Sequence, residues 1–291
     1  MIACSFCAVF VGGSVSAYDN SRHPVRVICA RYREMPREVF MTPYEVCLYA
    51  LDDLDNKGHQ QDVRNFLEWY LKRINYSDKN GMSGTIYDIV LHGNKEQILP
   101  QYDSIDGYSG IFLVLMDKYY RQTGDASLIN RYWESLESIA YTIAYLQQAD
   151  GLTIAMPDYP VKYLMDNCEA YGGIISFLNL AQQTGHKINA KYYRNVAGGI
   201  KNGVFSILGT AEDDSLAWSG EDDGKISDGS VFYPDAYAQL FLIYYDLLDA
   251  DRQQFFWKKF VIEHPAVEWK TQPPEQATFC GLVSKKMESA R

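Results

Sequence analysis

The chain has 291 residues, of which 47% are hydrophobic and 14% aromatic, so it can bury a large core as one big domain or two ordinary ones. Its formal net charge of −10 at pH 7 argues against nucleic acid or an anionic membrane as a partner, because a polyanion is repelled by the mean field of the protein. Its cysteines include one close pair, Cys4-x-x-Cys7, with no second pair to complete a zinc site. We therefore predict neither a metal site nor a cofactor.

The first 17 residues form an apolar run that ends in Ser-Val-Ser-Ala and is followed by polar residues. This pattern is typical of a secretory or lipoprotein leader, although a basic start is missing and a mis-assigned start is the alternative. We expect export to the periplasm, the cell exterior or a lipid anchor, with a cytoplasmic location as the alternative. No other segment has the ~18 uncharged apolar residues that a membrane span requires. Residues 18–291 are predicted to form a single domain.

The chain then opens into alternating helices and turns. Residues 18–42 alternate loosely between apolar and polar side chains, which predicts a strand or an extended lead-in. After Pro43 the apolar positions of 44–55 recur at helical spacing, and a partner helix follows over 63–74, which together predict a helical hairpin. The turn-rich loop 78–88 leads into a short β-type run whose predicted partner is Ile98-Leu99, across a turn at Gly93-Asn94.

Three further helix pairs follow the same plan. They are predicted over 104–123 and 126–147, over 165–184 and 187–208, and over 235–249 and 251–262. Another helix begins near 275. The fold class is therefore an all-α array of helical hairpins, resembling an (α/α) toroid, with short β-hairpins on one rim. A closed ring needs more hairpins than these four, so we expect an open ring or a truncated one.

The helix pairs share a repeated start. Tyr44, Tyr108, Tyr171 and Tyr237 are separated by 64, 63 and 66 residues, a regular period of supersecondary size. In the last three copies an acid stands two residues before the tyrosine: Asp106, Glu169 and Asp235. Because an array of hairpins places equivalent helix starts on the same rim, these acids are expected to converge.

Converging carboxyl groups suit the cleavage of a glycosidic bond, which needs one protonated carboxyl as acid and one ionised carboxylate as base or nucleophile. The predicted catalytic residues are Asp106, Asp166 and Glu169. Helix capping is the alternative, because Asp and Ser at helix starts also satisfy free backbone N–H groups. The double acids Asp103/Asp106 and Asp166/Glu169 exceed what one cap needs and favour a functional role.

Aromatic and acidic side chains near the same helix starts are predicted to contact a sugar, since amphipathic rings suit sugar faces as well as cores. Packing in the core is the alternative for each ring. The predicted substrate-binding residues are Tyr44, Tyr102, Asp103, Tyr108, Tyr163, Tyr171, Trp218, Tyr233 and Asp235.

Three runs are similar to bacterial proteins of the six-hairpin glycosidase superfamily, the (α/α)6 toroids. They are YDSIDGYSG at 102–110, YYRQTGD at 119–125 and DGLT at 150–153, and the resemblance covers roughly 40–262. It implies an enzyme that processes a poly- or oligosaccharide with acids on the rim of the inner helices.

Within that superfamily, Met165-Asp166-Asn167 resembles the region that carries the catalytic Asp of unsaturated glucuronyl hydrolases. This resemblance implies that Asp166 is the proton donor. The chain has Ile105-Asp106 where that family has a His-Asp pair, and it lacks the Ser-Glu-Gly-x-Gly-Tyr signature of family 8 glucanases.

The sequence thus predicts a glycoside hydrolase that acts on a carbohydrate partner by carboxylate acid/base catalysis in a cleft at the rim. Two alternatives stay open: a non-catalytic carbohydrate-binding toroid, and an activity like that of the unsaturated glucuronyl hydrolases. The oligomeric state is left open.

Overall fold

A computed structural model describes residues 23–209, 215–221 and 227–290. The predicted leader at 1–17 lies outside the described residues. The described chain is mostly helical. Its α-helices are α1 Pro24–Cys29, α2 Pro43–Asp53, α3 Gln60–Leu71, α4 Ile105–Thr123, α5 Ser127–Arg131, α6 Trp133–Leu146, α7 Leu164–Thr184, α8 Ala190–Ile207, α9 Tyr237–Tyr244, α10 Ala250–Glu263, α11 Ala266–Trp269 and α12 Pro274–Ser289.

A small antiparallel sheet lies beside the helices. Its strands are β1 Glu38–Met41, β2 Ile89–His92 and β3 Lys95–Ile98, in the order β1-β2-β3. The β2–β3 hairpin turns at Gly93, whose φ of 65° is in the left-handed region that favours glycine. The turn predicted at Gly93-Asn94 is confirmed.

Five helices of the described chain form an inner ring. Helix α2 contacts α4, α4 contacts α7, α7 contacts α9, α9 contacts α12, and α12 contacts α2 again. Contacts near their C-terminal ends show that neighbouring inner helices run parallel: Lys118 of α4 donates to Leu51 O of α2 at 2.8 Å, and Lys285 of α12 reaches Asp52 at 2.6 Å. Lys286 of α12 likewise donates to Tyr244 O at the end of α9 at 2.8 Å, and Gly110 of α4 meets Gly173 of α7 at the same height, so all five N-termini lie on one rim.

The remaining long helices form an outer layer. Helix α6 contacts α4 and α7, α8 contacts α7, and α10 contacts α9, while α3 lies against α2 and α4. The hairpin turns are sharp because a glycine adopts positive φ after an inner helix, at Gly124 (71°) and Gly185 (76°). Both turns occur where the sequence predicted them.

A fifth inner helix completes the circle of contacts among the inner helices of the described chain. Helix α12 supplies a fifth inner helix between α9 and α2. Its Phe279 is fully buried and lies 4.1 Å from the ring of Phe241 in α9. Burial of such an aromatic side chain contributes about 2–3 kcal/mol, which fixes α12 in the ring.

The strand predicted within 18–42 is wrong for Pro24–Cys29, which form the helix α1 instead. Val25, Ile28 and Cys29 are buried at helical spacing, and Pro24 occupies the first turn, where its missing N–H costs nothing. The buried Arg26 donates to the carbonyl oxygens of Met35 and Arg37, so tertiary contacts favour the helix over the local β preference.

The first helix of the fourth pair, α9, is shorter at both ends than the predicted 235–249. A π-helical turn, Phe232–Ala236, precedes α9, and α9 ends at Tyr244 because the chain turns at Asp246, which has a φ of 57°. None of the helices in the described ranges combines the length and apolarity that a membrane crossing requires.

Candidate active site

The rim formed by the N-termini of the inner helices is rich in acids. Each inner helix has one in its first turn or in the turn just before it. These are Glu45 in α2, Asp106 in α4, Asp166 in α7, Asp235 before α9 and Glu275 in α12. Helix N-termini attract negative charge, so this arrangement alone fits helix stabilisation. What distinguishes the acids is how each carboxyl is held.

Close approach of α4 and α7 brings two of these carboxyls, Asp106 and Asp166, together with Glu169, which lies one turn further along α7. A Cβ at Gly173 would lie 2.6 Å from Gly110 Cα, and a Cβ at Gly110 would lie 2.4 Å from the carbonyl of Glu169. Only glycine allows such contact between backbones. Gly110 and Gly173 stand two residues after the repeated tyrosines, so equivalent positions of the two repeats lie at the same height.

Gly107 marks the centre of the cluster. A Cβ there would lie 2.8 Å from Glu169 Oε2, 2.9 Å from Ser104 Oγ and 3.4 Å from Asp166 Oδ1. Two carboxyl groups and a hydroxyl thus surround one backbone position. Like charges so close cannot all ionise at once without a large cost in free energy.

Asp106 is fully buried beneath the rim. Its Oδ2 accepts the Thr153 hydroxyl at 2.5 Å, and its Oδ1 accepts the Ser104 hydroxyl at 2.8 Å and the Gly107 N–H at 3.0 Å. Burial raises the pKa of Asp106 to about 6, although these donors act in the opposite direction. Asp106 is therefore held in one orientation and titrates close to neutral pH.

A second set of hydrogen bonds fixes the loop that carries Thr153. The buried Asn167 accepts the Thr153 N–H at 2.7 Å and donates to the carbonyl of Tyr163 at 2.9 Å. Asn167 follows Asp166 directly, so the same turn of α7 supplies an acid to the cluster and ties down the donor of Asp106. The loop after α6 is thereby attached to α7.

Asp166 is partly exposed, unlike its two neighbours. Its Oδ2 is buried and has no hydrogen-bond partner among the described residues. Burial raises the pKa of Asp166 well above its usual range, and the charges of Asp106 and Asp103 raise it further, while Ser104 lowers it. The surroundings of Asp166 therefore favour its protonated form, and part of its side chain is exposed at the rim.

Glu169 lies deeper, with 1% of its surface exposed and Oε1 without a partner in the described chain. Burial and then the charge of Asp166 raise its pKa well above the usual range. The hydroxyls of Tyr44 and Tyr245 face the carboxyl and lower that pKa in part. The surroundings of Glu169 thus favour its protonated form, and it lies deeper in the cluster than Asp166.

Exposed side chains form the mouth above these acids. Asp103 is exposed just before α4, and its charge acts on both Asp166 and Tyr163. The ring of Tyr163 stacks on Trp218 at 6.2 Å with 12° between the planes, and both rings are partly exposed. Tyr233, before α9, is 52% exposed and senses the charges of Asp103 and Asp166. These residues border the opening to Asp166.

Two of the predicted sugar-contacting tyrosines are buried in hydrogen-bonded positions. Tyr102 donates to Asp78 Oδ2 at 3.0 Å, and Tyr87 and Lys79 lie over its ring at 5.6 and 4.8 Å. Tyr108 donates to Asp88 Oδ1 at 2.9 Å. Their hydroxyls hold the loop before β2 against the start of α4.

The structure does not bring Tyr171 and Asp235 into the acid cluster. Tyr171 lies under Lys201 of α8, 5.9 Å from the ring centre. Asp235 is buried and accepts the backbone N–H of Asp228 at 2.8 Å, so its carboxyl closes the turn before α9. The repeat placed Asp235 at the right helix start, but the π-helical turn there directs its side chain to the loop.

Several residues of the site were not singled out from the sequence: Ser104, Thr153, Asn167, Tyr245 and Glu275. Ser104 and Asn167 flank predicted acids and could have been found from that proximity. Pro273-Pro274 before Glu275 is a helix-start signal like Pro43 before Glu45. Thr153 and Tyr245 have no such signal, because their contacts join distant segments.

Among residues 23–209, 215–221 and 227–290, no group of His, Cys, Asp and Glu side chains has the arrangement of a metal site. A depression of about 810 Å³ between α7 and α8, lined by residues that include Asn179, His186 and Arg194, lies at the other end of α7 from the acids. This depression is therefore separate from the acid cluster at the rim.

Solved structures share this architecture. The endoglucanase Cel10 from Klebsiella pneumoniae, a family 8 glycosyl hydrolase, matches with a TM-score of 0.59 at 10% identity, over 92% of this chain and 99% of that chain. A rhamnosidase from Klebsiella oxytoca with rhamnose bound matches with a TM-score of 0.61 at 10% identity, over 86% of this chain and 48% of that chain. The chain shares the helical-hairpin toroid fold of these two structures.

A third structure, that of a glycosidase variant, matches with a TM-score of 0.51 at 12% identity, over 92% of this chain and 90% of that chain. This chain spans about half the length of the rhamnosidase but nearly all of the endoglucanase. Neither a protein-family model nor a curated protein matches the sequence. The predicted resemblance to (α/α)6 toroids is confirmed for the fold.

Proposed function

We propose that this protein is a glycoside hydrolase in which Asp166 donates a proton to the oxygen of the leaving group. The observation that carries the proposal is the setting of Asp166: its side chain is partly exposed, its pKa is raised, and its buried Oδ2 has no hydrogen-bond partner among the described residues. Cleavage of a glycosidic bond requires a carboxylic acid that is still protonated near neutral pH and can reach the substrate.

Asp166 suits this role better than the other two acids of the cluster. Asp106 and Glu169 are almost completely buried, and Asp106 has both oxygens occupied by donors. In this proposal Asp106 and Glu169 do not contact the substrate but influence the ionisation of Asp166. The negative charge of Asp106 disfavours the ionised form of Asp166, and Glu169, whose own pKa is raised, lies beside Asp166 on the same helix.

The mouth is suited to a sugar. Tyr163 and Trp218 stack with each other beside Asp166, and Tyr233 exposes half of its surface across the opening. Aromatic faces pack against the C–H faces of sugar rings, and the exposed Asp103 supplies an acceptor for hydroxyl groups. The six-hairpin enzymes named above, an endoglucanase and a rhamnosidase, support a carbohydrate as the substrate class.

The proposal is tested by screening the purified chain for reducing ends released from a panel of polysaccharides and oligosaccharides, which includes oligosaccharides with a terminal unsaturated uronic acid. We expect hydrolysis of at least one member and a loss of about 10²–10⁴-fold in kcat/KM for Asp166→Asn. The matched control is Asp251→Asn, an exposed acid in the first turn of the outer helix α10, with the rate of the parent.

Other results of this hydrolysis screen would lead to different conclusions about the function. Cleavage confined to unsaturated uronides assigns the activity to the unsaturated glucuronyl hydrolase class, with Asp166 again as donor. Sugar binding without turnover identifies a carbohydrate-binding toroid and contradicts the proposal. Full activity in Asp166→Asn removes Asp166 from the mechanism.

A further inference from the structure

The depression between α7 and α8 exists because a neighbouring inner helix ends early. At the height of Gly172 of α7, an added Cβ would meet the ring of Tyr245, which directly follows α9. Helix α7 continues from Gly172 to Thr184, about 18 Å further at the rise of an α-helix. Along this length α9 no longer lies beside α7. The depression of about 810 Å³ is lined by residues of α7, of α8 and of the turn between them.

The lining of the depression combines apolar and hydrogen-bonding side chains. Ile175, Leu178 and Gln182 follow one another at helical spacing along one face of α7, and Ile188 lies in the turn after it. The three aliphatic side chains are partly exposed, and Gln182 is exposed. This size and this mixture of groups are typical of sites for small molecules, which measure about 300–1,000 Å³.

His186 has a fixed orientation at the depression. Its ring stacks on Trp133 at 4.0 Å with 13° between the planes. Thr184 donates its hydroxyl hydrogen to the Leu180 carbonyl at 2.6 Å, so its oxygen accepts from Nδ1 of His186 at 2.8 Å. In the neutral ring the other nitrogen, Nε2, then carries no hydrogen and can accept from a hydroxyl group of a ligand.

Lys187 and Arg194 bring positive charge to the depression. Both side chains are exposed, and neither pairs with a carboxylate of the described residues. By contrast, Arg121 near the end of α4 pairs with Asp117 at 3.0 Å. None of the residues that line the depression, all of them within the described chain, is acidic. In a protein of net charge −10, the depression therefore favours an anionic group.

We propose that the depression binds a small sugar that carries one anionic group, a carboxylate or a phosphate. Arg194 and Lys187 pair with the anionic group, because no acid of the described residues competes for them. Gln182 and Nε2 of His186 hydrogen-bond to hydroxyl groups, and the aliphatic side chains contact the apolar C–H faces of the sugar ring. A long polyanion does not fit, because the mean field of the protein repels it.

The depression is separate from the proposed catalytic mouth. From Asp166 to Gln182 the axis of α7 extends about 24 Å, too far for one small sugar to contact both. Binding at the depression therefore goes beyond the proposed function, and it can be measured whether or not the protein hydrolyses a glycoside.

Isothermal titration calorimetry of the full chain tests this site with glucuronate, glucose 6-phosphate, glucose and inorganic phosphate, each used separately. We expect at least one of the charged sugars to bind about 10-fold or more tightly than glucose or inorganic phosphate. The two charged sugars distinguish a carboxylate ligand from a phosphate ligand. Arg194→Gln and Lys187→Gln should each weaken binding about 10-fold, and Arg194→Lys should weaken it less. The matched control is Lys191→Gln, at an exposed position of α8 that does not line the depression, with the affinity of the parent.

Asp166→Asn, at the mouth, should bind the charged sugar as the parent does, and circular dichroism checks that each variant is folded. An affinity that falls in Asp166→Asn but not in Arg194→Gln places the ligand at the mouth, which overturns the inference and leaves the proposed function intact. The inference is also overturned by no binding of either charged sugar, or by equally tight binding of glucose or of inorganic phosphate. Absence of hydrolysis in the screen of glycosides contradicts the proposed function alone.

Discussion

Gly110 of α4 and Gly173 of α7 lie in direct backbone contact, with Gly110 Cα only 2.6 Å from where a Cβ of Gly173 would be. This contact joins the two repeats that carry the acids. It sets the spacing of Asp106, Asp166 and Glu169, because each acid lies within two turns of it on α4 or α7. The site therefore depends on backbone packing as much as on its carboxyls.

The first prediction concerns that contact. Gly173→Ala places a methyl group against the α4 backbone, which cannot move as a flexible side chain can, so we expect a loss of about 1–3 kcal/mol in the free energy of unfolding. Urea denaturation measures it. Gly198→Ala in α8, where a Cβ meets nothing within 4 Å, is the control and is expected to gain about 0.5–1 kcal/mol from better helix propensity. An equal response of both variants contradicts the packing assigned to Gly173.

The second prediction concerns pH and Glu169. A glutamate in an unfolded chain titrates near ~4.3, and the folded pKa of Glu169 is raised well above this. The folded state therefore binds a proton that the unfolded state has lost, and stability declines as pH rises from that value through the folded pKa. Glu169→Gln cannot ionise at this position. Its free energy of unfolding should therefore rise relative to that of the parent by roughly 1.4 kcal/mol per pH unit between these two pKa values.

Urea denaturation at a series of pH values measures this difference, and Glu96→Gln is a control of opposite sign. Glu96 accepts from Trp69 and Arg73, and its pKa is lowered to about 2 against the desolvation that opposes it. Ionised Glu96 stabilises the folded state above about pH 4.3, and this stabilisation is lost as the pH falls toward 2. Glu96→Gln should therefore lower the free energy of unfolding at neutral pH but not in acid. A pH-independent difference for Glu169→Gln would contradict the assignment of a neutral Glu169.

The third prediction concerns Asp103 and the activity. The charge of Asp103 raises the pKa of Asp166, so Asp103→Asn should lower that pKa and move the alkaline limb of the kcat/KM profile to lower pH. The profile is measured with the oligosaccharide that the parent hydrolyses best. Asp251→Asn, remote from the rim, should leave the limb in place. A shift to higher pH in Asp103→Asn is incompatible with Asp166 as the acid.

The fourth prediction concerns the Thr153 hydroxyl, which donates to Asp106 and lowers its pKa. Thr153→Val removes the donor inside a buried cluster, so we expect a loss of about 1.5–3 kcal/mol in the free energy of unfolding at neutral pH. Because the variant also raises the Asp106 pKa, the loss shrinks in acid, where Asp106 is protonated in both proteins. Thr153→Ser keeps the hydroxyl and should recover most of the stability. A Ser variant that loses as much as the Val variant would show that the hydroxyl alone does not restore stability and would contradict the role given to it.

Much of the fold follows from local patterns. The helix pairs were predicted because apolar residues recur at helical spacing and because Gly124 and Gly185 end two inner helices, where positive φ requires glycine. Helix α1 was missed because its stability comes from Arg26 and its buried face, contacts that a local pattern does not contain. A helix near 275 was predicted, but its position between α9 and α2 was not, because that position depends on contacts of Phe279 with distant helices.

The sequence predicted those residues of the candidate site that stand at equal distances from the repeated tyrosines. Equal spacing from Tyr108 and Tyr171 placed Asp106 and Glu169 at one height, which the contact of Gly110 with Gly173 confirms. The same spacing did not predict that Asp235 turns toward the backbone of Asp228, since a π-helical turn before α9 changes the direction of its side chain. A repeat fixes where a residue stands along a helix, and the side-chain direction depends on the local turn.

The central claim is that the cluster keeps Asp166 protonated where an exposed aspartate is ionised. A carbon-13 NMR titration of the Asp166 carboxyl, assigned by its loss in Asp166→Asn, tests this claim most directly. The account predicts a midpoint well above the ~3.9 of an unperturbed aspartate, with a lower midpoint in Asp103→Asn. A midpoint at or below ~3.9 in the parent would mean that Asp166 is already ionised at neutral pH and would contradict its role as the proton donor.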